Sequence, residues 1–259
     1  MNQRWGRPPG ARRGGRMPLG WLLAVLAVLG ALALAERLDL LPAGTLDGLP
    51  GIKETSRTAR HAPPPRPLPH TGQAIDYARL QSVLDGIRVE PERSRGYQRE
   101  DWPHWLASDK SCLNTREQVL IRDSTVPARL SANGCGVLAG RWLDPYTGET
   151  FTDPKEVDVD HRVPLQEAHN SGGFEWSRER RAAFANDLTD PQTLVAVSRE
   201  ANRAKGSKGP EEWLPPKRDE ICPYVASWIG VKARWGLTMD ERERVTVGNI
   251  LAECRSLAR

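Results

Sequence analysis

The chain has 259 residues, enough for one large domain or two small ones. Its 37 Lys and Arg residues against 33 Asp and Glu residues give a formal net charge of +4. Five of the arginines lie in residues 1–35, which contain no acidic residue, so 32 basic and 33 acidic residues remain elsewhere. This balance excludes a uniformly basic nucleic-acid-binding protein, and any electrostatic footprint must be a local patch.

The N-terminus resembles an export segment rather than part of a fold. Residues 1–16 are rich in arginine, and residues 17–35 are apolar and contain no charged residue. Ala33-Leu34-Ala35 fits a signal-peptide cleavage site, but the apolar run also approaches the roughly 20 residues that span a bilayer. We expect residues 1–35 to be a signal peptide or a membrane anchor. Either reading places the remainder outside the cytoplasm, secreted or membrane-anchored.

Two segments precede the main domain. Residues 36–72 are too rich in proline to pack, which predicts a linker with polyproline II character. Residues 73–111 form a helical lead-in, because Leu80, Val83, Leu84 and Ile87 recur at the spacing of an amphipathic helix. Trp102 and Trp105 follow, and we expect an aromatic cluster beneath a loop, with base stacking as the alternative.

Four cysteines occur, and none forms a CxxC pair, which argues against a zinc knuckle. Outside the cytoplasm disulfides persist, so we expect two of them. Three pairings are possible, and Cys112–Cys135 with Cys222–Cys254 is favoured because each bond closes one local segment. Free buried thiols are the alternative.

Residues 112–259 mix short strands with helices, which predicts an α+β domain. The run 157–161 alternates β-branched and polar residues, and 194–197 reads as a second strand. Residues 119–121 fit a strand or a helix equally well. Helices are predicted near residues 165–170, 177–185 and 199–205 and across 221–254, with Ser177, Ser198 and Thr238 as N-caps.

The chemistry is concentrated at the end of the first long strand. Asp160 and His161 close that run, and Pro164 breaks it. Asp160 is a hard oxygen donor suited to Mg²⁺ or Mn²⁺, and Asn202 offers a neutral oxygen. Neutral imidazole at His161 can take a proton from water. Since neighbouring strand residues point to opposite faces, both can serve one site only if the strand ends there.

These motifs resemble the HNH endonucleases, and more closely an exported bacterial subgroup that carries the domain of unknown function 1524 and is similar to the GmrSD C-terminal domain. The similarity covers about residues 112–254. It is carried by four stretches: Asp160-His161-Arg162-Val163-Pro164-Leu165, Ser171-Gly172, Phe184-Ala185-Asn186-Asp187 and Asn202-Arg203-Ala204-Lys205-Gly206.

The resemblance implies a disulfide-stapled α+β fold with a ββα-metal core and supporting helices. It implies that Asp160 and Asn202 bind one Mg²⁺ or Mn²⁺ ion, with Zn²⁺ less favoured, and that His161 is the general base. The family has an asparagine, thought to brace the loop of the base histidine, where this chain has Gln192. Asn186 is a weaker candidate for that bracing residue. Lys205 is expected to stabilise charge on the phosphate.

The expected partner is nucleic acid, with DNA favoured over RNA, and the protein is expected to be a monomer. Candidate phosphate contacts are Arg180, Arg181, Arg203 and Lys208, although solvated helix faces explain them equally. Two alternatives stay open for the domain itself. His169 could join Asp160 in a Zn²⁺ or Ni²⁺ site. The domain could also be a catalytically impaired binding or interaction module, with Gln192 as the symptom.

Overall fold

The computed structural model describes residues 74–107 and 112–258, which belong to one compact unit. The predicted signal or anchor (1–35) and linker (36–72) lie outside the described residues. Within the described ranges, none of the helices combines the length and the apolar character that crossing a bilayer requires.

The described ranges contain seven α-helices and six short strands. The helices are α1 (Tyr77–Asp85), α2 (Thr115–Asp123), α3 (Leu165–Asn170), α4 (Arg178–Ala185), α5 (Arg199–Lys205), α6 (Ile221–Trp235) and α7 (Glu241–Leu257). The strands are β1 (Arg129–Leu130), β2 (Val137–Ala139), β3 (Trp142–Leu143), β4 (Thr150–Phe151), β5 (Val157–His161) and β6 (Leu194–Ser198). Three 3-10 turns, at Arg99–Asp101, Gly173–Glu175 and Arg218–Glu220, complete the set. The predicted α+β class is confirmed.

The strands pair as three separate two-stranded antiparallel sheets: β1–β2, β3–β4 and β5–β6. The β5–β6 pair is the longest, with Val157 opposite Ser198 and His161 opposite Leu194. The connection between these two strands carries α3 and α4, and α5 begins directly after β6. The two predicted strands and the helix after them therefore form a β–β–α unit with a helical insertion.

The β5–β6 ribbon lies between two apolar clusters. Val157 and Val159 of β5 pack with Val119, Leu120 and Trp142 in the smaller cluster. Because strand residues alternate between faces, Asp158 and Asp160 lie on the opposite face, the side on which α5 packs. The strand thus buries its valines and presents its carboxylates to one helix.

The larger cluster is built around α1, α6 and α7, with Leu84, Trp228 and Val247 fully buried within it. The helix predicted in the lead-in is confirmed as α1. Residues 119–121, which fitted either structure, are helical, and the Asn114 side chain accepts from the Glu117 N–H at its start. The cap predicted at Thr238 is wrong. Asp240 caps α7 instead, because its side chain accepts from the Glu243 N–H.

Both favoured disulfides are confirmed, Cys112–Cys135 and Cys222–Cys254. The first joins the segment before α2 to the residues just ahead of β2. The second joins α6 to α7. Each bond closes a local segment. It stabilises the fold because it reduces the conformational entropy of the unfolded chain.

A fully buried lysine links the insertion to the C-terminal helices. Lys232 of α6 donates to Glu167 of α3 at 2.7 Å and to Glu243 of α7 at 2.6 Å. It also donates to the Ser171 hydroxyl and the Thr238 carbonyl, each at 2.9 Å. Four acceptors surround one ammonium, so its charge is compensated although no part of it is exposed.

Replacing Lys232 with methionine should reduce the free energy of unfolding by about 3–5 kcal/mol, because two carboxylates would stay buried without a cation. Urea denaturation measures this change. The matched control is Lys217→Met, which removes a partly exposed pair with Glu220 and should cost less than about 1 kcal/mol. Equal stability of Lys232→Met and the wild type would show that this network contributes no net stability.

Candidate active site

Asp160, His161 and Asn202, which the sequence singled out for chemistry, line one cavity of about 340 Å³. The cavity opens beside β5 and α5, and residues of α3 and the lead-in complete its wall. The three side chains come from the end of one strand and the helix after the next. The structure therefore brings the three residues to one cavity, and their roles stay predictions.

The end of β5 allows two neighbouring residues to face the same cavity. Ladder pairing stops at His161, and the next N–H, that of Arg162, donates to the Thr193 carbonyl at 2.9 Å. Pro164 has no N–H and precedes α3. On the other side, Ser198 caps α5 by accepting from the Ala201 N–H at 3.1 Å, which fixes Asn202 in the first turns of the helix.

Two buried donors hold Asp160. Lys205 Nζ donates to Oδ1 at 2.9 Å, and the Tyr146 hydroxyl donates to Oδ2 at 2.6 Å. Burial raises the pKa of Tyr146 well above its ordinary value, so the phenol stays protonated and can donate. A carboxylate offers about four acceptor positions, so each oxygen keeps one further lone pair.

Lys205, predicted to stabilise charge on the phosphate, does not line the cavity. Its side chain is fully buried, and Nζ also donates to the His161 carbonyl at 2.9 Å. This lysine therefore acts on Asp160 and on the end of β5. Tyr146, in the turn before β4, is a site residue that the sequence analysis missed, because only tertiary structure reveals its partner.

The His161 ring is held at one edge and packs against two aromatic rings. Its Nε2 lies 2.9 Å from the Ala185 carbonyl. A carbonyl only accepts, so Nε2 carries the proton and Nδ1 is the acceptor nitrogen. The Trp105 and Phe184 rings flank it at centroid distances of 5.3 and 6.3 Å. Burial lowers the pKa of His161 to about 4, so the imidazole is neutral at pH 7.

Asn186 fixes the turn that presents the Ala185 carbonyl. Its Oδ1 accepts from the Leu106 N–H at 2.9 Å and from the Thr115 hydroxyl at 2.8 Å. Its Nδ2 donates to the Pro103 and Ala182 carbonyls, both at 2.8 Å. This asparagine joins the lead-in, α2 and α4 at the point where His161 is held.

Gln192, which stands where the resembled family has its bracing asparagine, lies outside the cavity lining. Its backbone N–H donates to the Asp190 side chain at 2.9 Å, in the turn before β6, and the residue is half-buried. The contact that orients His161 in this structure comes from Ala185, one residue before Asn186.

A carboxylate outside the cavity orients Asn202. The Asn202 Nδ2 donates to Asp158 Oδ2 at 3.1 Å, and Arg199 lies 3.8 Å from the other carboxylate oxygen. A carboxylate only accepts, so it selects the amide nitrogen and leaves Oδ1 as the atom that Asn202 can offer to a cation. Asp158 is thus a positioning residue for Asn202.

None of the four predicted phosphate contacts lines this cavity. Arg180 donates to the Trp235 carbonyl at 3.0 Å, and its guanidinium lies over the Trp176 ring. Arg181 donates to the Gly173 and Phe174 carbonyls. These two arginines attach α4 to its neighbours.

The other two predicted contacts are exposed. Lys208 donates to the Ala204 carbonyl at 2.9 Å. Arg203 lines a second groove, of about 600 Å³, together with Arg199 and Trp213. Arg203 and Lys208 therefore stay accessible beside the cavity.

His169 lies apart from Asp160. It is buried, its Nε2 is 3.2 Å from the Arg95 carbonyl, and its ring packs edge-on against Tyr97 and Trp102. It is not part of the cavity lining. The geometry therefore gives no support to a site that combines His169 with Asp160.

Comparison with known proteins places this site in a family context. The family model for GmrSD restriction endonucleases, C-terminal domain, matches residues 115–246. An "Uncharacterized secreted protein" of Arthroderma benhamiae is 40% identical over 192 residues, which cover 73% of this chain and 92% of that protein. No solved structure matches the chain.

The buried His161 predicts a specific dependence of stability on pH. Folding lowers its pKa below the unfolded value of about 6.5, so the unfolded state binds more protons at this residue. The stabilisation is complete above about pH 6.5 and is lost as the pH falls toward 4. Between pH 7 and pH 4, the unfolding free energy of the wild type should fall by about 3 kcal/mol more than that of His161→Gln.

Urea denaturation at both pH values measures this difference. Glutamine can still donate to the Ala185 carbonyl, so the variant isolates the titrating group. Parallel losses in the two proteins would mean that His161 is not buried in its neutral form.

Proposed function

The chain belongs to the family of GmrSD restriction endonuclease C-terminal domains, and from this membership and the geometry of the cavity we propose that it is a metal-dependent endonuclease of the HNH type. It hydrolyses phosphodiester bonds in nucleic acid, with DNA as the favoured substrate. The observation that carries the proposal is the convergence of Asp160, His161 and Asn202 on one cavity. The β5–β6–α5 unit that delivers them supports the ββα-metal assignment.

The donor set fits a hard divalent ion such as Mg²⁺ or Mn²⁺. Asp160 keeps a free lone pair on each oxygen. The contact between Asp158 and the Asn202 Nδ2 leaves the Asn202 Oδ1 as a ligand atom for the ion. Two protein oxygens leave most of the coordination shell to water and phosphate, which is how Mg²⁺ is usually held. Such an ion supplies Lewis-acid polarisation of the phosphate and charge compensation for the leaving oxygen.

His161 is suited to activate water. Its ring is neutral at pH 7, and the Ala185 carbonyl occupies the protonated Nε2, so Nδ1 is the nitrogen that accepts a proton. Packing between Trp105 and Phe184 prevents the ring from rotating away. Nδ1 takes the proton of water as its oxygen attacks phosphorus and the bond to the leaving oxygen breaks. The leaving alkoxide takes a proton from solvent, and the imidazolium formed lies beside the Asp160 carboxylate.

Export from the cytoplasm is part of the proposal. The domain contains two disulfides, and disulfides persist in oxidising compartments. The relative from Arthroderma benhamiae is named as a secreted protein. We infer that the nuclease acts outside the cytoplasm. Residues 17–35 would then serve as a cleaved signal or as a membrane anchor.

The purified protein should nick plasmid DNA in the presence of Mg²⁺ or Mn²⁺, and His161→Ala should reduce the rate at least about 100-fold, since general-base catalysis contributes roughly 10²–10⁴. Agarose-gel assays with DNA and RNA side by side measure both rate and preference. Circular dichroism shows whether the variant stays folded.

Asp160→Asn should also lose activity, while Asp219→Asn, at an exposed position away from the cavity, should retain it. If the folded wild type cuts neither DNA nor RNA with any divalent ion, the chain is an impaired binding module instead. If His161→Ala cuts as fast as the wild type, another group is the base.

The role of Asp158 can be measured without turnover. Asp158→Ala removes the partner that orients the Asn202 amide, so Mn²⁺ affinity should fall about 10–100-fold, the usual effect of losing an outer partner of a ligand. Isothermal titration calorimetry gives the affinity, and Asn202→Ala should weaken binding at least as much. Arg203→Gln, an exposed change on the same helix, is the control and should bind as the wild type does. Unaltered affinity in Asp158→Ala would contradict the positioning role.

A further inference from the structure

The wall of the cavity includes a cation that the sequence analysis did not identify. Among the described residues that line it, Arg99 is the only one with a cationic side chain, because Lys205 is buried behind Asp160. Arg99 belongs to the lead-in and begins the 3-10 turn Arg99–Asp101. The family match begins at residue 115, so this arginine lies outside the matched domain.

Contacts of Arg178, Arg181 and Phe184 in α4 hold this turn and the residue after it. Arg178 donates to the Glu100 carbonyl at 3.2 Å, and Arg181 lies 3.7 Å from the Asp101 carboxylate. The next residue, Trp102, is fully buried among aromatic rings. Arg181, expected at the sequence level to contact phosphate, instead helps to fix the turn that carries Arg99. A side chain on a turn fixed in this way has a defined position at the cavity.

A histidine lies beside the Arg99 guanidinium. His104 Nδ1 lies 2.8 Å from the Trp102 carbonyl, so Nδ1 carries a proton and this contact fixes the ring. Arg99 Nη2 lies 3.4 Å from the His104 Nε2. Within residues 74–107 and 112–258, no carboxylate lies within ion-pair distance of Arg99. The guanidinium also donates to the Tyr97 hydroxyl, and its remaining N–H donors are available to a ligand.

The Asp160 carboxylate repels the negative charge of a phosphodiester, so a cation in the same lining favours binding of the phosphate. A guanidinium presents five N–H donors in a planar fork that matches two phosphate oxygens. Fixed donors aimed at developing charge are among the largest contributions to catalysis. The other polar residues of the described lining, such as Tyr97, Gln166 and Ser207, offer neutral donors without a positive charge.

We propose that Arg99 binds the non-bridging oxygens of the scissile phosphate, so that the lead-in segment completes an active site shared with the matched domain. This inference rests on the proposed nuclease function. It makes residues 74–107 part of the catalytic unit rather than a spacer before it.

The test compares Arg99→Gln, Arg99→Lys and the wild type on plasmid DNA and on bis(4-nitrophenyl) phosphate with Mn²⁺. The small diester contains only the reacting phosphate, so it reports contacts with that group alone. Arg99→Gln should lower kcat/KM about 100-fold on both substrates, and Arg99→Lys should recover part of the loss. The control is Arg88→Gln, which removes an exposed arginine of the same segment that pairs with Glu90 and should change neither rate.

Each outcome decides the role of Arg99. Unchanged kcat/KM in Arg99→Gln, or a loss on DNA without a loss on the small diester, would overturn it and leave the nuclease assignment standing. If the wild type hydrolyses neither substrate, the nuclease assignment fails, and binding of inorganic phosphate decides the role of Arg99. Phosphate should then shift the Arg99 Nε–H resonance of the wild type, and weaker phosphate binding by Arg99→Gln supports the contact. Equal phosphate affinity in the two proteins would overturn it.

Discussion

The buried contact between Lys205 and Asp160 is the constraint on which the site depends. Burying either ion without the other would cost several kcal/mol, because each would be removed from water with no opposite charge beside it. Together, and with the Tyr146 hydroxyl on the second carboxylate oxygen, they satisfy one another. The same ammonium also donates to the His161 carbonyl, and this contact fixes the backbone at the end of β5. One cation from α5 thus fixes the orientation of Asp160 and the backbone that carries His161.

The second half of the site is assembled by segments that are distant in sequence. The Ala185 carbonyl orients His161. Asn186, the next residue, ties the turn that carries this carbonyl to the lead-in and to α2. Burial among Trp105 and Phe184 keeps its imidazole neutral. The protonation state of His161 is therefore a consequence of packing, and the packing depends on the lead-in being in place.

Much of this arrangement could be predicted from the sequence, for identifiable reasons. The alternation of valine and aspartate predicted β5, the caps at Ser177 and Ser198 predicted the helices after them, and the cysteine spacing favoured the two observed bonds. The contacts of Tyr146 and Arg99 could not be predicted, because each depends on a partner brought close only by tertiary structure. Arg180 and Arg181 show the reverse: a basic helix face resembled a phosphate surface, yet backbone carbonyls of neighbouring segments occupy its donors.

Rigidity explains why so many charged groups are buried around one cavity. A buried ionic network is weak evidence for stability, since apolar residues of the same size often serve as well. Its advantage here is geometric, because Lys205 and the Tyr146 hydroxyl each hold one oxygen of Asp160 and so fix the orientation of the carboxylate. An active site works when its groups are fixed before the substrate arrives and need no reorganisation during the reaction. In the proposed nuclease, Lys205 and Tyr146 meet that requirement by fixing Asp160 without lining the cavity themselves.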